Sequence, residues 1–162
     1  MTLRGIELQP GDVLLYQGRG FFSWAIRVKT FSPVSHVELY AGDGLAFASR
    51  DGEGVGTYPL RKDDLYAILR PTVPFTEFEW DALVKVQAHS IGQAYDWWGL
   101  FGFFHPDTGV DGTSKAFCSE HIARLFKLAG RPLFGFAYPS DKVTPGMFLA
   151  CPLLDTIWQE TR

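Results

Sequence analysis

Short apolar runs separated by glycine and proline fill the first 71 residues of the chain, and they constrain the fold more than any other feature. Runs of this length, rich in β-branched and aromatic residues and bounded by turn residues, predict β-strands. The sequence Gly-Asp-Gly at 42–44 predicts a tight hairpin. The glycine-rich stretch 51–60 is interpreted as a loop that leads into a short extended piece. The predicted strands are 11–18 (GDVLLYQG), 35–42 (SHVELYAG), 45–50 (LAFASR) and 64–71 (DLYAILRP).

The clearest helical signal follows at 76–92, in the stretch TEFEWDALVKVQAHSIG. Thr76 and Glu79 have the spacing of a capping box, and Gly92 is suited to end the helix. The helix is expected to bury one apolar face, formed by Trp80, Leu83, Val84 and Ile91.

A second strong helix is predicted at 116–129, with Gly130 as its C-cap. Shorter helices are predicted at 20–33 and 145–151, and the stretch 93–115 is aromatic-rich and then loop-like. Because strands come first and helices later, the order predicts an α+β class. We expect a single domain over residues 1–162, in which an antiparallel sheet or barrel packs against helices. The apolar repeat of the second helix consists of Ile122, Leu125, Phe126 and Ala129.

The composition fits a compact protein and excludes several functional classes. Hydrophobic residues make up 46% of the 162 residues, which is enough for a substantial core. The net charge of −3 lacks the basic surface of a nucleic-acid-binding protein. No apolar run is long enough for a membrane span, and the N-terminus has no signal-peptide pattern. The default expectation is therefore a cytoplasmic location, with a phage-carried or non-classically exported protein as alternatives.

The two cysteines, Cys118 and Cys151, are too few for a disulfide framework, and no Cys or His spacing suggests a zinc site. We therefore expect no metal and no cofactor. Cys151 lies in the apolar run FLACPLL and is interpreted as a small buried side chain. Cys118 lies in the first turn of the predicted helix, where the dipole and free N–H groups lower a thiol's pKa and can stabilise an oxyanion. Simple packing beneath the helix is the alternative for Cys118.

A thiolate nucleophile needs an imidazole beside it, and four histidines are candidates. His36 is distinct because it lies within a predicted strand, SHVELY, which would hold its ring at a fixed angle. His89 lies on a helix with a partly wet face, and His105 precedes a proline in a loop. His121 follows Cys118 by three residues on the same helix. A satisfied core histidine is the alternative interpretation of His36.

Four segments, PGDVLLYQG, SHVELYAGDG, GQAYDWWGL and FCSEHIARLF, occur in an order that resembles the circularly permuted papain-like families related to NlpC-type cell-wall hydrolases. The chain is most similar to their YiiX-type and lecithin:retinol-acyltransferase-like branches. The resemblance implies that Cys118 is the nucleophile, that His36 is the general base and that Tyr95 lines the site. Ser119 is a further candidate on the oxyanion and substrate side, although a polar residue there also suits the first turn of any helix.

The chain departs from these families at the residue that orients the imidazole. A glutamate twelve residues after the histidine is common in the YiiX type, and that position is Ala48 here. Glu38 is the preferred substitute, because it follows His36 by two residues and so shares its face of the strand. Asp51 is the second choice, and Ser49 would serve if the strand were shifted by one residue. A main-chain carbonyl or a water would otherwise orient the ring and leave a dyad.

Three functions remain open. The preferred one is a cysteine amidase or peptidase that cleaves peptidoglycan or another small peptide. The second is a thiol-dependent acyltransferase or lipid and ester hydrolase, with the aromatic stretches 21–24 and 97–104 lining an acyl pocket, touching a membrane surface or simply packing in the core. The third is a catalytically eroded binding module, of which Ala48 would be the sign. The expected partner is a small peptide substrate, with no nucleic acid and no stable membrane insertion, and the oligomeric state stays open.

Overall fold

The computed structural model describes residues 1–92 and 118–161 and, at Phe22, the backbone alone. The strands are β1 (Thr2–Leu3), β2 (Ile6–Glu7), β3 (Val13–Tyr16), β4 (His36–Gly42), β5 (Leu45–Arg50), β6 (Gly54–Pro59), β7 (Leu65–Pro71) and β8 (Leu154–Gln159). The helices are α1 (Phe21–Thr30), α2 (Glu77–Ser90) and α3 (Cys118–Leu128), with short 3-10 helices at Ser140–Lys142 and Pro145–Ala150.

Within the described part of the chain, β3 to β8 form one antiparallel sheet in the order β6-β5-β4-β3-β7-β8. The first and last strands of this order remain edges, so the sheet does not close into the barrel that was the alternative prediction. The α+β class predicted from the order of elements is confirmed. β1 and β2 form a separate two-stranded hairpin.

Side chains on the sheet alternate between two buried faces, which explains why all four residues of β3 are buried. The odd-numbered residues Val13 and Leu15 belong to the cluster that contains α3, and the even-numbered Leu14 and Tyr16 belong to the cluster on the opposite face. The α3 side of the core also contains Val37, Leu39, Phe47, Leu83, Ile122, Leu125, Phe126 and Phe148. Covered on both sides, the central strands hold their side chains in fixed positions.

Several local predictions are confirmed. The turn at 42–44 joins β4 to β5, and all three of its residues have positive φ, which suits Gly-Asp-Gly. The capping box of α2 is present: Glu79 N–H donates to Thr76 Oγ1 at 3.2 Å, and Thr76 N–H donates to Glu79 Oε2 at 2.8 Å. Cys151 is buried.

The prediction of which side chains of α2 are buried is wrong in part. Val84 and Ile91 are 38% and 57% exposed, whereas Leu83, Gln87 and Ser90 are buried. The polar residues face inward because Gln87 Nε2 donates to the carbonyl of Gly56 in β6 at 2.8 Å. A satisfied amide therefore occupies a position that apolar periodicity assigned to solvent.

Strands β1, β2 and β8 were not predicted, and a predicted helix has a different form. In the stretch 51–60, the extended piece is longer than expected and forms β6 over residues 54–59, where the phenol of Tyr58 folds over the small Gly56. β8 pairs with β7 at the sheet edge, and most of its residues are only partly buried or exposed, so its apolar alternation is weak. The helix predicted at 145–151 is the 3-10 helix Pro145–Ala150.

None of the helices in the described ranges combines the length and apolarity that crossing a bilayer requires.

Arg70→Ala is expected to destabilise the fold, because it leaves the buried carboxylate of Asp12 without its cation. Arg70 donates to both oxygens of Asp12 at 2.8 Å, and Asp12 is almost fully buried. Breaking a buried pair costs about 3–5 kcal/mol, and the partial exposure of Arg70 reduces the expected loss to roughly 2 kcal/mol. Urea unfolding measures the difference.

Lys142→Ala is the control, since Lys142 and Asp141 are 3.9 Å apart and both are exposed. Its free energy of unfolding should stay within about 0.5 kcal/mol of the wild-type value. Equal stability of the Arg70 and Lys142 variants would contradict the assigned contribution of the buried pair.

Candidate active site

The geometry of the site begins with His36, the first residue of β4. The extended backbone places Glu38 on the same side of the strand, two residues further on. His36 Nε2 lies 3.1 Å from Glu38 Oε1, which leaves Nδ1 as the ring nitrogen free for another partner. The structure therefore places the preferred orienting residue against the imidazole.

Cys118 lies in the first turn of α3, and its Sγ is 4.0 Å from the carbonyl oxygen of Ser35, the residue before His36. Cys118 and His36 shift each other's pKa through charge and hydrogen-bond interactions. The backbone N–H groups of Val37 and Ser119 also lower the pKa of this sulfur. Cys118 is only 3% exposed, whereas the side chain of His36 is 13% exposed, so the pair meets solvent mainly at the imidazole. The helix dipole and the two N–H groups favour a negative charge at this sulfur.

The pKa values of the two groups are shifted toward a thiolate–imidazolium pair. Burial alone would lower the pKa of His36, but the charge and hydrogen bond of Cys118, followed by those of Glu38, outweigh it and raise the pKa to about 9. Burial alone would raise the pKa of Cys118, but the charge and hydrogen bond of His36 and the two backbone N–H groups lower it. Each group stabilises the charged form of the other.

Glu38 is fully buried, and its neighbours favour the ionised form of its carboxyl group. Its Oε1 faces His36 Nε2 and also accepts a hydrogen bond from Arg50 Nε at 2.9 Å, while its Oε2 has no hydrogen-bond partner within the described residues. Burial raises the pKa of Glu38, but the hydrogen bonds and charges of His36 and Arg50 exceed that effect, and the pKa is lowered. The carboxylate thus accepts from an imidazolium on one side and a guanidinium on the other.

The hairpin register explains how Glu38 reaches the place expected for residue 48. β4 and β5 pair Leu39 with Phe47, and this register, continued by one residue, sets Ala48 opposite Glu38. Directly opposed residues of an antiparallel pair point to the same face. Ala48 is buried and small, so the glutamate on the adjacent strand has room on that face.

The other predicted site residues have different positions. Asp51 is exposed in the turn after β5, and Ser49 is buried within β5; the hydrogen-bonding position at His36 Nε2 is taken by Glu38. Ser119 Oγ donates to the carbonyl of Val143 at 2.6 Å, so its contribution at the sulfur is its backbone N–H. Tyr95 lies outside the described residues.

Of the other histidines, His121 and His89 do not take part in this cluster. His121 is buried on α3 with Nε2 2.7 Å from Gln87 Oε1, and burial, with a smaller effect of Arg124, lowers its pKa to about 3. His121 is therefore neutral and structural. His89 is exposed and contacts the carbonyl of Lys85 in its own helix. His105 lies outside the described residues.

Arg50 is the contributor that the sequence prediction missed. Nothing in its local sequence distinguishes it from an ordinary basic residue at a strand end. The signal is the predicted hairpin itself, because the register that opposes Leu39 and Phe47 also brings position 50 beside position 36.

The sequence of the chain is similar to that of a curated bacterial protein. No protein-family model matches the chain. Over 174 aligned residues the chain is 29% identical to a protein of Escherichia coli (strain K12) named probable lipoprotein peptidase YaeF, an alignment that covers 83% of this chain and 62% of that relative. The chain thus spans less than two thirds of the relative's length.

A solved structure covers almost the whole chain. The crystal structure of metalloprotein yiiX from Escherichia coli O157:H7 superposes with a TM-score of 0.71 and 18% identity, over 95% of this chain and 98% of that one. At this identity the likeness defines the fold.

The name of that structure raises the question of a metal, and the described residues do not fit one. No three His, Cys, Asp or Glu side chains within them converge as ligands. Glu38, the buried carboxylate of the site, already faces two cationic groups, Arg50 and His36, which disfavour a cation between them.

The resemblance to YiiX-type proteins drawn from the four motifs is confirmed at the level of the fold, which this chain shares with the yiiX structure.

Proposed function

We propose that the protein is a cysteine hydrolase in which Cys118 is the nucleophile, His36 the general base and Glu38 the residue that orients the imidazole. The contact between Cys118 and His36 carries the proposal. Their pKa values move in opposite directions, which is the electrostatic requirement for a thiolate at neutral pH. A structural cysteine in an apolar core shows the reverse, as Cys151 does: burial raises its pKa.

The reaction follows from the positions of the groups. The thiolate of Cys118 attacks the carbonyl carbon, a C–S bond forms, and the carbonyl electrons move to oxygen. N–H groups at the first turn of α3 are suited to hold that oxyanion. The intermediate collapses as the C–N bond breaks and the proton on His36 passes to the leaving amine. His36 then removes a proton from water, and the hydroxide forms a bond to the thioester carbonyl carbon. The C–S bond breaks, which releases the acid product and restores the thiolate–imidazolium pair.

A small peptide or amide is the preferred substrate class, with a cell-wall stem peptide as the leading example. Support comes from the resemblance of the motifs to cell-wall hydrolases and from a relative whose name describes a peptidase. Because the chain spans only part of that relative, the substrate is a proposal for this chain in its own right.

An ester or thioester substrate is the second candidate, and the surface of α1 favours it. Phe21, Trp24, Val28 and Phe31 follow one another along one side of α1 and its C-cap, and each is more than half exposed, Phe31 by 97%. Apolar side chains of this kind bind acyl chains or the interfacial region of a bilayer. α1 leads directly toward the strand that carries His36.

The reactivity of the two cysteines should differ strongly below pH 7. Iodoacetamide at pH 6 is expected to modify Cys118 first, because its thiolate is already present, and to leave Cys151 intact. Mass spectrometry of Cys118→Ala and Cys151→Ala separates the two sites. Labelling at pH 6 should persist in Cys151→Ala, which retains Cys118, and should be absent in Cys118→Ala, which retains only Cys151.

The same experiment decides between an enzyme and an eroded binding module. The module predicts a Cys118 that alkylates with the pH profile of an ordinary thiol, near pH 8.5. That profile in Cys151→Ala would exclude the thiolate–imidazolium pair.

Cleavage of purified cell-wall peptides should depend on both members of the pair. Cys118→Ala and His36→Asn are expected to lower the rate by at least about a hundredfold, the usual contribution of a nucleophile or a general base. Liquid chromatography of the products measures the rate, with His89→Asn as a matched histidine control on the exposed side of α2. Wild-type cleavage by Cys118→Ala would refute the assignment of the nucleophile.

Phe31→Ser distinguishes the two substrate classes. If lipid esters are the substrate, loss of this exposed ring should raise the KM for a vesicle-bound ester several-fold and leave hydrolysis of a soluble peptide or short ester unchanged. Phe78→Ser, an 82% exposed phenylalanine on α2, is the control. No difference between the two variants would remove the support that α1 gives to the ester hypothesis.

A further inference from the structure

We propose that Arg50 is a positioning residue of this site, which holds the Glu38 carboxylate ionised and aimed at the ring of His36. The inference rests on the proposed function and adds a fourth member to the Cys118, His36 and Glu38 set. Arg50 acts through Glu38, and its own contact is with the carboxylate.

Arg50 and His36 contact the same oxygen atom of Glu38. Arg50 Nε donates to Glu38 Oε1 at 2.9 Å, and His36 Nε2 lies 3.1 Å from the same oxygen. Glu38 is fully buried, and a carboxylate removed from water is costly unless a cation and hydrogen-bond donors compensate. Arg50 supplies both, and its side chain is itself only 15% exposed, so solvent screens the pair weakly.

Arg50 is held in place independently of the site. Its Nη2 donates to the carbonyl of Pro59 at 2.9 Å. The guanidinium carbon also lies over the ring of Tyr58, 4.7 Å from the centroid. Tyr58 is fixed in turn, because its hydroxyl donates toward the carbonyls of Glu53 and Gly54. The β5–β6 hairpin therefore supports the guanidinium through contacts that do not involve His36 or Glu38.

Among the residues that the structure describes, the groups that interact with the Glu38 carboxylate come from three strands. His36 shares β4 with it, Arg50 projects from β5, and Tyr16 of β3 has its pKa raised first by burial and then by the charge of Glu38. Arg61 lies over the ring of Tyr16, 5.3 Å from its centroid. Among them, Arg50 and His36 are the cations that hydrogen-bond the carboxylate.

The consequence for the pH profile has a definite sign. Burial raises the pKa of Glu38, and without Arg50 one of the two opposing effects is lost, so the carboxyl takes up a proton at higher pH. A protonated Glu38 stabilises imidazolium less, and thiolate at Cys118 becomes less available. The acidic limb of Cys118 reactivity therefore moves to higher pH when Arg50 is neutralised.

The test compares Arg50→Gln with Arg50→Lys in the Cys151→Ala background. Alkylation of Cys118 is followed from pH 4 to 9 with iodoacetamide. The midpoint of the acidic limb is expected to move to higher pH by about one pH unit in Arg50→Gln, the lower end of an ion-pair effect. The shift should be smaller in Arg50→Lys, which keeps the charge. A purely structural role for Arg50 would change stability and leave the limb in place.

Two controls make the result specific. Arg19→Gln removes an exposed arginine paired with Asp64 and should leave the profile unchanged. In a Glu38→Gln background, Arg50→Gln should have no further effect on the limb, because the group through which Arg50 acts is absent. A shift that persists in that background overturns the inference.

The outcomes also separate this inference from the proposed function. A wild-type Cys118 with no reactivity below pH 7 refutes both. A reactive wild type with an unchanged limb in folded Arg50→Gln refutes the role of Arg50 alone. Should Arg50→Gln fail to fold, a ¹³C NMR titration of the Glu38 carboxyl in the unmutated chain decides, and a midpoint above the ordinary glutamate pKa overturns the inference.

Discussion

The packing of α3 on the central strands creates the site, because it brings together two residues that are far apart in the sequence. Ile122, Leu125 and Phe126 of α3 share a buried cluster with Val37 and Leu39 of β4. These apolar contacts fix the height and rotation of the helix over the sheet, since close-packed side chains leave little freedom to slide. The first turn of α3 then lies at the start of β4, where Cys118 meets His36.

In the proposed charge state, that placement gives a row of four charges of alternating sign: the thiolate of Cys118, the imidazolium of His36, the carboxylate of Glu38 and the guanidinium of Arg50. Each buried charge would be costly alone, and each has a neighbour of opposite sign within hydrogen-bonding range. Their sum is zero, so the cluster leaves no uncompensated charge inside the protein. The lowered pKa of the sulfur is thus a property of the whole row as much as of the helix end.

Much of this arrangement could be predicted from local sequence. Turn residues located β3, β4, β5 and β7, and the two-residue period of a strand singled out Glu38 as a neighbour of His36. Prediction failed where the deciding contact was distant in sequence. Gln87 faces inward because of a carbonyl on β6, and β8 forms because β7 offers an unpaired edge. Nothing in the sequence around Arg50 marks it, and it is found only when the register of the predicted β4–β5 hairpin is followed across the two strands.

The opposition of positions 38 and 48 across the hairpin bears on how such sites diverge. Two neighbouring strands offer the same volume to a carboxylate, so the acidic group can change its point of attachment while the imidazole stays where it is. A protein with acids at both position 38 and position 48 would place two like charges opposite each other. A guanidinium in the place of Arg50 would reduce their repulsion. A comparison by aligned columns alone would therefore find Ala48 and no acid for this site, whereas a comparison by spatial neighbourhood finds Glu38 on the adjoining strand.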